Sequence, residues 1–123
     1  MSTILMSIKP EYVEKIFNGT KKYEYRKRKC KKNIDRIIVY STNPIKKVVG
    51  ELVIEDILED NKNVIWEKTK LYSGIVKEKY DYYFNNQDTA VAYKIKSYKL
   101  YDTKKELSDF NVKTSPQSYI YIE

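Results

Sequence analysis

The sequence predicts an α+β fold: a small mixed β-barrel of about six strands, with short helices flanking a cleft. Three observations carry that expectation. Apolar and polar residues alternate, with the period of a pleated strand, in about six windows between residues 3 and 122. The helical windows between them are short, two or three turns each. Gly50 inside a long apolar run, and a change of apolar parity after Ile95, mark the bends a closing sheet needs. A chain of 123 residues is one domain by size, spanning 1–123, and can bury a single core without staples.

Taken in order, residues 3–9 alternate Ile4, Met6 and Ile8 against Leu5 and Ser7, a strand with a mainly buried face. Pro10 stands where a first helical residue tolerates a missing N–H. Val13, Ile16 and Phe17 follow at i, i+3, i+4, the apolar stripe of a helix over 10–18. Asn18-Gly19 stops it. Over 21–29 the period returns to two, with Tyr23 and Tyr25 on one face and Lys22, Glu24, Arg26 and Arg28 on the other. A polar turn leads to a strand over 34–41, apolar on both faces in its middle and ending at Thr42-Asn43-Pro44. Residues 45–57 read as a long strand with Val48, Leu52 and Ile54 inward. Helical spacing takes over at 61–72 until Ser73-Gly74 breaks it. Val76, Tyr80, Tyr83 and Phe84 then mark a second short helix; its tyrosines and Trp66 are expected to pack. After a loop at 85–88, residues 89–101 alternate again, with a bulge where parity passes to Tyr98 and Leu100. A turn or short helical piece covers 103–110, and a last strand 119–122.

Charge is unevenly placed. The chain carries 24 basic and 17 acidic residues, a net +7. Residues 21–32 hold eight cations and one acid, Glu24, so the remainder is balanced at sixteen of each sign. One basic strand-and-turn on a neutral body is the pattern of an electrostatic footprint for RNA or a nucleotide. The bland alternative is a solvated, lysine-rich edge that blocks strand aggregation. Thirteen of the seventeen aromatics are tyrosines, suited to half-buried walls and to stacking. The absence of histidine removes the imidazole ligands and bases of the usual metal and catalytic sites, so no metal and no cofactor are expected. The single cysteine, Cys30, excludes an internal disulfide; the cations around it would depress its pKa, but with no base beside it we take it as incidental. No window approaches the ~20 apolar residues that span a bilayer, so a cytoplasmic protein without membrane association is expected.

The run SIKP, a short helix and then Gly19-Thr-Lys-Lys-Tyr-Glu-Tyr-Arg26 resembles the signature of the ASCH domain, of the PUA-like superfamily. Val39-Tyr40-Ser41 before Asn43-Pro44, Val49-Gly50-Glu51 and Pro116-Gln117-Ser118-Tyr119 extend the resemblance over roughly residues 3 to 122. It implies a PUA-like barrel with a cleft beside the first helix, lined by Lys9, Lys21, Glu24 and Arg26.

From the residues themselves, cations there could hold a phosphate or a base carbonyl, while Glu24 orients an arginine or exchanges a proton. The alternative is a surface ion pair between Glu24 and Arg26, worth ~0–1 kcal/mol. Arg28, Tyr40, Ser41, Gln117 and Ser118 complete the candidate binding set, and the amides of Gln117 and Asn43 could read a base edge. Capping of loops and turns is the competing role for these polar residues.

The leading expectation is an RNA- or nucleoside-binding module with a regulatory role. The second is a metal-independent hydrolase, with Lys21, Glu24 and Tyr40 as candidate catalytic groups. As a ribonuclease it would use such groups as acid, base and phosphate stabiliser. The resemblance also implies an acetylcytidine amidohydrolase branch that uses a lysine, a threonine nucleophile and a glutamate. Lys21 keeps the first position, but Glu24 stands at the threonine, and Thr20 precedes the lysine. A third expectation, a regulatory domain that meets a protein partner, would call for an exposed apolar patch in place of a polar cleft.

Overall fold

The computed structural model describes residues 1–122. Its frame is one six-stranded sheet, formed by β1 (Ser2–Ile8), β2 (Tyr23–Arg26), β3 (Ile34–Ser41), β4 (Lys47–Asn61), β5 (Thr89–Lys105) and β6 (Tyr119–Tyr121). The strands lie in the order β2-β5-β4-β3-β1-β6. β1 and β3 are parallel, with Ile4 opposite Ile37 and Ile8 opposite Ser41; every other pairing is antiparallel. Helix α1 (Pro10–Phe17) follows β1. Helices α2 (Lys62–Thr69) and α3 (Lys77–Tyr83) form an insertion between β4 and β5, joined through a 3-10 turn at Lys70–Tyr72.

Alternation along the strands sorts the core onto two faces. On one, Ile4, Met6, Ile8, Ile37, Val39, Leu52 and Tyr93 pack with Val13 and Ile16 of α1. On the other, Leu5, Ile38, Tyr40 and Val48 pack with Val112 and Phe110. A third cluster seats the insertion: Ile65, Tyr80 and Phe84 lie against Tyr25, Ala90 and Ala92. Trp66 and Tyr83 flank it, the packing role expected of them. Pro10 takes the first turn of α1, and Gly19 (φ 85°) stands just past its end. Gly50 marks a register shift between β3 and β4 and is required by close approach. A Cβ there would meet Lys99 O at 2.5 Å and the Phe17 ring at 2.6 Å.

The expected barrel does not close. β2 and β6 are the free margins of the sheet, and no backbone ladder joins them. The strand expected over 21–29 pairs only at Tyr23–Arg26, because the next six residues carry five cations, all exposed, that a ladder would desolvate. Side chains join the margins: Tyr121 Oη on β6 accepts from the Lys32 N–H beyond β2 at 3.0 Å. The Arg26 guanidinium on β2 donates to Ser7 O at the end of β1 (2.8 Å) and to Ser118 Oγ just before β6 (3.1 Å). The sheet thus curls until its margins face each other across a seam.

Candidate functional site

The seam is built from α1, β2 and the ends of β1 and β6. Glu24 and Arg26 sit two apart on one strand face, as the alternation required. Both Nε and Nη2 of Arg26 donate to the same Glu24 oxygen, at 3.2 and 2.8 Å. The two side chains are only 7% and 14% exposed, so this is no solvated surface pair. Four of the five guanidinium N–H groups are engaged, by Glu24 twice, Ser7 O and Ser118 Oγ. Ser7 Oγ donates in turn to Pro116 O at 2.7 Å, which pins the 116–118 segment beside the seam.

Lys21 is the most unusual group. It is 3% exposed. Its Nζ donates to Ser73 O at 2.6 Å and lies 4.7 Å from the Tyr25 ring centroid and 5.2 Å from that of Tyr12. Burial pulls its pKa down to about 8, against the attraction of Glu24; the Lys15 and Arg26 charges lower it further. Burial thus brings this ammonium closer to neutrality than a solvated lysine. The role of Tyr25 is structural. Its hydroxyl donates to Thr69 Oγ1 (2.7 Å), which donates onward to Ile65 O, and burial raises its pKa.

The remaining candidates divide. Ser118 and Gln117 are exposed on the segment entering β6. Lys9 is exposed at the N-terminus of α1, and Ser41 is buried opposite Ile8 at the same end of the sheet. Tyr40 is not brought to the seam: it packs with Leu5, Ile38 and Val48 on the other face. Arg28 belongs to the exposed loop at 27–33, not to β2. In that loop Lys27 lies over Tyr83 (4.9 Å) and Lys32 over Tyr121 (4.8 Å). Cys30 is buried rather than reactive at the surface, its N–H donating to the Tyr93 hydroxyl. Ser7, Tyr12, Ser73 and Gly74 carry no signal of a site in the sequence; Ser73-Gly74 registers there only as a helix break.

Two cavities of about 500 and 660 Å³ lie elsewhere, against Phe110–Asn111 and Leu107–Lys113. They contain none of the sequence-predicted site residues. Among the described residues there is no group of three or more His, Cys, Asp or Glu placed to hold a metal ion, and no helix long and apolar enough to cross a membrane.

The profile of the ASCH domain matches residues 6–99, which include α1, β2 and the turn at 72–74. The chain belongs to the ASCH family. ASCH domains are part of the PUA-like superfamily. The chain is 32% identical over 122 residues to the large ribosomal subunit protein uL22 of Ureaplasma parvum. The match covers 98% of this chain and 39% of that protein. It is 31% identical over the same length to an ATP synthase subunit alpha of that organism, covering 15% of it. The chain therefore spans well under half of these relatives. An ASCH domain-containing ribonuclease of Zymomonas mobilis is 27% identical over 95 residues, 76% of this chain and 64% of that one. Crystal structures of a Zymomonas mobilis ASCH protein and of a variant of it superpose with TM-scores of 0.88 and 0.89, at 24% and 23% identity. The superpositions cover 98% of this chain and 87% and 90% of the others. That likeness shows the ASCH fold, an open mixed sheet with short helices.

Proposed function

We propose that this ASCH domain binds single-stranded RNA, with phosphates along the 27–32 loop and one nucleotide in the seam, between the Arg26–Ser118 rim and Lys21. The observation that carries the reading is the adjacency of two things. An exposed loop with five of the cations that make up the basic segment leads directly out of the strand whose Glu24 and Arg26 fill the seam. Phosphates along such a loop release counterions, which supplies affinity without sequence preference. The hydroxyl of the exposed Ser118 and the one Arg26 N–H left over from its four hydrogen bonds would together fix one phosphate at the rim. The tyrosine faces beneath Lys27 and Lys32 suit unpaired bases better than a duplex. The Zymomonas relative's name, a ribonuclease, agrees with RNA as the ligand class.

A second reading is cleavage, and Lys21 favours it. A lysine that titrates at about 8 can take the 2′-hydroxyl proton as O2′ attacks the neighbouring phosphorus. The P–O5′ bond then breaks, the proton passes to the departing O5′, and a 2′,3′-cyclic phosphate remains. Arg26 would oppose the charge gathering on the phosphoryl oxygens.

The test is incubation with labelled single-stranded RNA at low salt and at ~150 mM salt, with and without EDTA, scoring retention and integrity. Intact RNA held by the wild type and lost in Arg26→Ala is the expected result. Fragments ending in a cyclic phosphate, formed in EDTA and abolished by Lys21→Met, would establish the second reading. Neither retention nor cleavage would refute both.

A further inference from the structure

The loop between α2 and α3 turns three consecutive main-chain carbonyls toward α1 and its connection to β2. Tyr72 O accepts from the Lys22 N–H (2.8 Å), Ser73 O from Lys21 Nζ (2.6 Å) and Gly74 O from Lys15 Nζ (3.2 Å). Gly74 has φ 65°, and a Cβ built on it would fall 2.5 Å from Lys21 Cβ, 2.6 Å from Cγ and 2.8 Å from Cδ. The lysine stem therefore lies flat against the Gly74 backbone, and its ammonium folds back onto the preceding carbonyl. Ser73 Oγ closes the turn, donating to Ile75 O (3.1 Å) and accepting from the Ile75 N–H (3.4 Å).

We propose that Gly74, with the carbonyl of Ser73, is the positioning element that holds Lys21 in the seam; the role rests on reading Lys21 as part of the RNA site. Glycine is needed twice over. An L side chain is strained at this φ, and its Cβ would occupy the space of the lysine methylenes. The charged and titratable groups facing Nζ are Tyr12 and Lys15 from α1 and Glu24, Tyr25 and Arg26 from β2. The turn itself offers Nζ a neutral carbonyl, so it acts by placing and burying the ammonium rather than by adding charge. A displaced lysine regains water, and its pKa climbs back toward the ordinary value.

The experiment compares Gly74→Asn with Gly19→Asn. Both put asparagine, which tolerates the left-handed region, at a positive φ. Only the first crowds Lys21, since a Cβ on Gly19 meets nothing nearer than Tyr98 Oη at 3.4 Å. The Lys21 side chain is titrated by NMR in the full chain, and RNA retention is measured beside it. Gly74→Asn is expected to raise the Lys21 midpoint from about 8 to about 9 or above and to weaken RNA retention roughly ten-fold. Gly19→Asn should leave both unchanged. Ser73→Ala loosens the turn without adding an atom and should move the midpoint in the same direction; it stands in if Gly74→Asn does not fold. A wild-type midpoint in the folded variants overturns the positioning role. A raised midpoint with undiminished RNA retention upholds it and instead removes Lys21 from the RNA site.

Discussion

Replacing Lys21 by methionine separates a site residue from a structural one. The lowered pKa, about 8 against 10.5, means that the folded protein holds the ammonium at a net cost. At 1.36 kcal/mol per pKa unit that cost is about 3 kcal/mol at neutral pH. Methionine has a similar length and no charge, so it relieves this cost. It also strips Ser73 O of its donor, a loss of about 1–3 kcal/mol for a buried carbonyl. The balance is ~0–2 kcal/mol in favour of Lys21→Met, read as an unchanged or higher urea midpoint. Retention of RNA should fall sharply in the same variant. A destabilisation of ~3 kcal/mol or more, or full RNA retention by a stable variant, would refute the argument that stability is given up here for function.

Two further outcomes follow from the same geometry. Stability should pass through a maximum near pH 10. Lys21, depressed in the folded state, adds stability as pH rises from about 8 to 10.5, because over that window the unfolded chain binds the extra proton. Tyr25, Tyr80 and Tyr93, raised by burial, and Tyr101, raised to about 12, give stability that is present below pH 10 and lost above it. Urea midpoints from pH 7 to 11 read this directly; a wild-type curve flat from 8 to 10 would contradict it, and Lys21→Met should flatten it. Separately, changing Lys27, Arg28, Lys29, Lys31 and Lys32 to glutamine should reduce the salt dependence of RNA binding, by roughly 0.7 in log–log slope for each phosphate no longer neutralised. An unchanged slope would take the loop out of the interface.

Periodicity locates the frame well because most of the frame is apolar alternation. β3 falls at 34–41 as expected, since its ends are set by a polar turn before it and Asn43-Pro44 after it. α1 is legible from one stripe and two punctuating residues, and the parity change after Ile95 does coincide with shifted register against β4. The charged strand is shorter than its pattern because lysine and arginine alternation looks alike whether or not a partner strand is present. Closure of the sheet is not legible at all, since nothing in a period reports which margins meet. The site is half legible. Glu24 and Arg26 share a face by simple counting, and they do pair. Lys21 sits in a lysine-rich window, and such lysines are ordinarily solvated. What buries it is a carbonyl 52 residues downstream, contributed by a turn with no chemistry of its own. Tyr40 is displaced by the opposite logic: a polar-tipped residue at a strand end still follows the strand's alternation into the nearest core.

A sheet whose margins are joined by a few side-chain hydrogen bonds and no ladder behaves as a clasp. A molecule entering between β2 and β1 would trade single hydrogen bonds one at a time, without unzipping a cooperative ladder, so admission costs little of the frame's integrity. The clasp also divides the labour of change. The 27–33 loop on one margin and the 113–118 segment on the other can alter length and charge while β5, β4, β3 and β1 keep their register. Such changes can therefore accumulate at the rim without disturbing the inner strands, which suits a unit that relatives carry within much longer chains.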